Sequence, residues 1–214
     1  MRDVLEILLL VVPLVFAIIL HEVSHGWVAE KLGDPTARLL GRITLNPIPH
    51  IDPIGTIILP GILLLTGSPF LFGWAKPVPV NFGNLRGGRR DMALVALSGP
   101  LSNFLLAVLS SIVFHLTFGT TTGSAGLLDL ITVPVHIMAS FSVRINLVLM
   151  VINLLPVVPL DGGRIVVGLA PEYIAIAMAR LERYGMLIVL LLIATGVWGY
   201  VVGPVINIFW RILM

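Results

Sequence analysis

No Asp, Glu, Lys or Arg stands between Asp91 and Asp129, and none between Arg183 and Arg211. Each stretch exceeds the roughly 20 apolar residues that carry a helix through a bilayer. Charge is scarce elsewhere too: 13 basic and 11 acidic residues in a chain of 214, of which 57% is hydrophobic. That is about half the charged share of a water-soluble domain. A soluble globular enzyme is excluded, and the chain reads as an all-α, polytopic integral membrane protein. The net charge is only +2, with the basic residues in short loops between apolar segments, so nucleic acid is not an expected partner. There is no cysteine, so any metal chemistry must use His and carboxylate.

Four long apolar segments run over Val4–Leu32, Met92–Phe118, Val133–Leu155 and Tyr184–Leu213. The first resembles a signal peptide but has no A-x-A-like site and runs straight into His21, so it reads as a retained membrane helix. A fifth, Ile54–Leu65, carries Pro60 and Gly61 near its middle. At 1.5 Å per residue it covers only about 18 Å of a ~30 Å hydrocarbon core, so it is either re-entrant or a short span extended by Pro69–Trp74. This predicts about four to five transmembrane helices plus that element. Lys31, Arg38 and Arg42 follow the first segment, Lys76, Arg86, Arg89 and Arg90 precede the second, and Arg164, Arg180 and Arg183 follow the third. The loop 119–132 has no Lys or Arg. The positive-inside rule puts the three basic regions in the cytoplasm and that loop outside, which favours re-entry for 54–65. With no linker or repeat, residues 1–214 read as one membrane-embedded domain.

His21-Glu22-Val23-Ser24-His25 is an H-E-x-x-H run. Residues i and i+4 share a helix face, so both imidazoles can bind one metal ion while Glu22, about 100° around, reaches its water. Ionisable residues inside an apolar helix are expensive and mark function by default. The bland alternative is a helix that ends at Leu20 with a solvated face beyond it, and the apolar continuation Gly26–Ala29 argues against that.

The second constellation is Asn153-Leu-Leu-Pro156-Val-Val-Pro159-Leu160-Asp161-Gly162-Gly163. The prolines break the third long segment near its end, the glycines permit unusual torsions, and Asp161 is presented by unwound chain. A catalytic zinc with one open position needs three protein ligands. Asp161 reads equally as that third ligand or as a helix-cap residue.

Together the two motifs resemble the site-2 protease family of intramembrane zinc metalloproteases, whose signature is H-E-x-x-H on one membrane helix and N-x-x-P-x-x-x-L-D-G on a later one. The resemblance covers most of the chain from the first apolar segment to Arg164, and the Ser98–Phe104 stretch looks like the family's G-P-x-x-N element, read here as packing and cavity shape. It implies one Zn2+ held by His21, His25 and Asp161, Glu22 as general base, and Asn153 steadying the substrate carbonyl or its oxyanion. Similarity is greatest to short prokaryotic members, since 214 residues leave no room for a PDZ or CBS domain. The implied activity is hydrolysis of peptide bonds within or near transmembrane helices of single-span or other membrane proteins. The implied location is a prokaryotic plasma membrane with the active site towards the cytoplasm, below its surface.

A helical substrate must unwind before attack, and the chain around 54–65 is a candidate edge for pairing with it as a strand. The rivals are a zinc or proton-coupled transporter, since intramembrane His and carboxylates also mark ion pathways, and a catalytically silent membrane adaptor. His50 and Asp52 read as a polar, Pro-rich turn in preference to a contact supporting a ligand His. His115 and His136 are too far along the membrane axis to join His21. Arg144 either pairs within a polar cavity or snorkels.

Overall fold

The computed structural model describes residues 2–67, 73–118 and 128–214. The regular elements among the described residues are all helical, with no strand. A bilayer offers no water to the backbone, so apolar segments close their hydrogen bonds internally. Among the described residues three helices are long and apolar enough to cross a membrane: Ile7–Leu32 of α1 (Arg2–Leu32), α4 (Arg89–Phe118) and α5 (Asp129–Asn153). The protein is therefore a membrane protein. α4 packs on α1, α5 and the short α6 (Asp161–Leu169).

After α7 (Glu172–Leu181), where the fourth long span was expected, the chain forms α8 (Gly185–Ala194) and α9 (Val197–Leu213). Gly196 stands between them at φ 71°. This left-handed conformation is one that glycine adopts without penalty, and it ends a helix. Absence of charge thus marked the segment as apolar without revealing the break. α9 packs against α5 through Val202, which joins Ala107, Val143, Leu147, Met150 and Val151 in the main buried cluster.

α1 stops at a Schellman motif: Gly33, at φ 117°, donates its N–H to Glu30 O, and Asp34 N–H reaches Ala29 O at 2.8 Å. The Asp34 side chain is fully buried. Oδ1 accepts from the Thr36 hydroxyl at 2.5 Å and Asn84 Nδ2 at 2.9 Å, and Oδ2 accepts from Asn81 N–H at 2.6 Å. Burial pushes its carboxyl pKa up, but these donors and the Thr36 N–H outweigh burial and hold it below the ordinary value. Asp34 so ties the end of α1 and the short α2 (Thr36–Leu39) to the loop that leads into α4.

Residues 53–65 form one short helical stretch, a π-helical turn Pro53–Ile58 followed by α3 (Leu59–Leu65). Its two flanks are bonded to each other. Lys76 N–H donates to His50 O at 2.9 Å, Trp74 N–H to Gly55 O at 3.1 Å, and the Thr56 hydroxyl to Trp74 O at 2.9 Å. A Cβ on Gly55 would collide with the Trp74 indole, so the two flanks touch only because residue 55 lacks a side chain. Arg86 N–H reaches Leu32 O at 3.1 Å, and Arg89 Nη2 bonds Val167 O and Ala170 O of α6 and its cap. The chain therefore leaves and rejoins the bundle at the same end, where basic residues from all three predicted regions gather. The proposed extension Pro69–Trp74 lies largely outside the described residues, as does most of the loop 119–132. Single cysteines placed near Arg38 and near Arg86 should react with an impermeant label from one membrane face only. Labelling from opposite faces would make 53–65 a full span.

Candidate metal centre and active site

α1 carries His21, Glu22 and His25 one turn apart, and the imidazoles meet edge to face with centroids 4.7 Å apart. Each ring is gripped at Nδ1. His25 Nδ1 donates to the Val95 backbone carbonyl at 2.8 Å, and His21 Nδ1 meets Asn103 Oδ1 at 2.7 Å. α4 comes this close because residue 99 is glycine: a Cβ there would lie 2.5 Å from His25 Nε2 and 2.6 Å from His21 Cε1.

Asp161 is brought in by the turn after α5. That helix ends at Asn153, and the chain turns through Pro156 and a cis Val158–Pro159 bond into α6, whose first residue is Asp161. Gly162 and Gly163 have no left-handed torsion. They are needed for closeness, because Cβ atoms would run into the carbonyls of Leu154 and Leu155 and the backbone of Val157 and Val158. Asp161 does open a helix, as the cap reading required, yet no side chain caps α6. The carboxylate instead turns to the histidines, with Oδ2 3.1 Å from His21 Nε2 and 3.3 Å from His25 Nε2.

The two Nε2 atoms are 3.1 Å apart. Val95 O can only accept, so the neutral His25 ring carries its proton on Nδ1 and presents a lone pair at Nε2. Asp161 Oδ2 is buried without a hydrogen-bond donor. Three acceptors converging this tightly repel unless a cation lies between them. Their separations of 3.1 to 3.3 Å are close to the edge of about 3.3 Å of a tetrahedron with bonds near 2.05 Å, the geometry of zinc. His21, His25 and Asp161 are the one group of three among the described residues able to hold a metal ion.

Glu22 lies beside this cluster with Oε2 accepting the Val78 N–H at 2.8 Å. Val78 belongs to the non-helical chain after Gly73, pressed so closely to α1 that a Cβ on Gly26 would lie 2.8 Å from its side chain. Asn153 is half-buried, and its Nδ2 donates to Leu149 O of its own helix at 3.0 Å. Asp52 is a helix cap, its Oδ1 accepting from Ile54 and Gly55 N–H, and His50 bonds Thr44 O. His115 bonds Leu213 O, while His136 bonds the Thr117 hydroxyl and stacks on Phe114, all away from His21. Arg144 is exposed and lies 6.0 Å over the Trp210 ring. Sequence reading missed the contact of Asn103 with His21 and that of Val78 with Glu22. A lone amide inside an apolar helix was the available signal for the first, whereas a backbone N–H leaves none for the second.

No family model matches the chain, and no solved structure does. Among curated proteins it is 38% identical over 198 residues to "Putative zinc metalloprotease YwhC" of Bacillus subtilis, covering 92% of this chain and 85% of that one. Proteins of the same designation called Rip2 are 28% identical in Mycolicibacterium smegmatis, over 88% of this chain and 67% of theirs, and 29% in Mycobacterium tuberculosis, over 89% and 68%. The naming agrees with a donor set suited to Zn2+. Identity of 38% across nearly the whole of both proteins makes this chain a member of the site-2 protease family, a zinc metalloprotease.

Proposed function

We propose that the protein is an intramembrane endopeptidase that cuts within or near transmembrane helices of membrane-protein substrates, as a single membrane-embedded domain of residues 1–214. The observation that carries this is the convergence of His21, His25 and Asp161, two of them on a membrane-crossing helix, with the Glu22 carboxylate beside them. The transporter reading gains nothing from relatives that carry protease names.

His21, His25 and Asp161 would hold the zinc, which when bound activates water and polarises a peptide carbonyl. Glu22 takes a proton from the attacking water and returns it to the leaving nitrogen. Its carboxylate is steadied by the Val78 N–H, so the base is aimed by chain outside its own helix. Asn153 would turn from Leu149 O towards the substrate carbonyl, where one donor contributes about 3 kcal/mol at a developing oxyanion. A substrate helix hides its amides in its own hydrogen bonds and must be drawn out as an extended strand. The 53–65 stretch expected to offer that edge is helical, and beside it the N–H groups of Trp74, Lys76 and Val78 are already bonded, to Gly55 O, His50 O and the Glu22 carboxylate. By the positive-inside rule the basic end is cytoplasmic. His25, roughly six residues or 9 Å of helix from Lys31, then lies below that surface. The membrane is the plasma membrane of a prokaryotic cell.

Detergent-purified protein incubated with a panel of single-span helices should release fragments cut inside the span. A zinc chelator should stop this and added zinc restore it. Cleavage only of soluble, unstructured peptides would leave a metalloprotease but sink the intramembrane assignment.

A further inference from the structure

We infer that Asn103 on α4 is a positioning residue that fixes the tautomer and ring plane of His21, and that Asn146 on α5 holds the Asn103 amide in the orientation this needs. The inference rests on the zinc-site reading above. Both amides are buried, Asn103 at 0% and Asn146 at 1% exposure, in the apolar interior where α1, α4 and α5 meet. A buried amide in such a place persists when each of its groups has a partner, and here the partners dictate every orientation.

Two backbone carbonyls, which can only accept, set the orientation of both amides. Asn103 Nδ2 lies 3.2 Å from Ala17 O on α1, so that atom is the amide nitrogen and Oδ1 is the atom facing His21. Asn146 Nδ2 lies 2.9 Å from Ser142 O, so the Asn146 oxygen faces Asn103 and accepts its second N–H at 2.8 Å. With Oδ1 of Asn103 an acceptor, the hydrogen bond of 2.7 Å to His21 requires the proton on Nδ1. In the neutral ring this leaves Nε2 bare, and it is the atom that faces Asp161 Oδ2 at 3.1 Å. Had the Asn103 amide been reversed, His21 Nδ1 would face a donor, and the proton would move to Nε2 and block the metal. Ser110 and Ser142 extend the string, joined by a hydroxyl hydrogen bond of 2.7 Å. Amides do not pass protons along, so the string acts as a fixed brace. His25 needs no such device, because Val95 O imposes the same tautomer directly.

Partners of this kind fix ligand orientation, and their loss costs roughly 10–100-fold in metal affinity. Asn103→Leu keeps the branched heavy-atom skeleton and removes the acceptor. In zinc competition against a chromophoric chelator it should bind about 10–100-fold more weakly, and the visible spectrum of the cobalt-substituted protein should change. Asn146→Leu should weaken binding less, and the double variant should be no worse than Asn103→Leu alone, since both act through one contact. Leu147→Ala empties the same helix contact beside Asn146. It should lower the melting temperature yet leave zinc affinity and the cobalt spectrum unchanged. Zinc affinity and spectrum of wild type in Asn103→Leu would overturn the inference, as would Leu147→Ala weakening zinc equally.

A measurement on the wild type needs no variant to fold. In zinc-loaded protein with 15N-labelled histidine, His21 should carry its proton on Nδ1 with the metal on Nε2. Metal on Nδ1 would overturn the inference. Failure of the zinc-site reading looks different, since the wild type then takes up no zinc, and the inference falls with it.

Discussion

Glu22→Gln should abolish cleavage of a transmembrane substrate while the purified protein keeps zinc near the wild-type level and still binds the substrate helix. Gln has nearly the shape of Glu and can accept the Val78 N–H through its amide oxygen, so the hydrogen bond of 2.8 Å that anchors the chain at Val78 can survive. The three metal-facing atoms come from other residues. What disappears is proton transfer, worth roughly 10²–10⁴-fold by itself, together with orientation of the attacking water. The check is a single preparation measured three ways: zinc by atomic absorption, substrate retention by co-purification, and fragment release. Undiminished cleavage by Glu22→Gln would remove Glu22 from the mechanism. Asn153→Ala makes a useful contrast. It should also keep zinc but lose only the ~10²–10³-fold typical of one oxyanion donor.

His21→Ala, His25→Ala and Asp161→Ala should each strip most of the zinc and all of the proteolysis. A three-ligand site that loses one donor keeps only two bonds to the protein. The Asp161 variant is the most informative. Asp161 Oδ2 has no hydrogen-bond donor and faces two imidazole nitrogens at 3.1 and 3.3 Å, so its removal should cost metal and should not melt α6, which it does not cap. Full zinc occupancy in Asp161→Ala, with a loosened α6, would return Asp161 to the role of a helix cap.

The local chemistry of this protein is written in short sequence. His21 and His25 lie on one face because a helix repeats every 3.6 residues, and an apolar stretch can hardly be anything but a helix where the backbone must bond to itself. α1, α4 and α5 were legible for that reason, with ends shifted by a few residues. The basic regions that the positive-inside rule assigned to one side do meet at one end of the bundle. Long-range proximity is different in kind. Hydropathy is blind to a single glycine that bends the chain, so the break at Gly196 could not be read from it. It is equally blind to why a glycine is present: residues 99, 162 and 163 matter for the space a Cβ would take from another element. The Asn103–His21 contact spans 82 positions, and nothing local distinguishes that amide from a packing residue.

The sequence by itself determined that the chain enters a membrane, which two histidines share a helix face and can bind one metal, and which carboxylate stands next to them. Each of these follows from composition or from spacing within one helix. Only the tertiary structure decided that Asp161 faces the histidines though it opens a helix, that the chain before and within 53–65 is bonded to Trp74 and Lys76 beyond it, and that a buried amide on α4 grips His21. Those outcomes depend on how closely α4 approaches α1 and how tightly the turn before α6 folds. Such distances are set by packing between elements far apart in the chain.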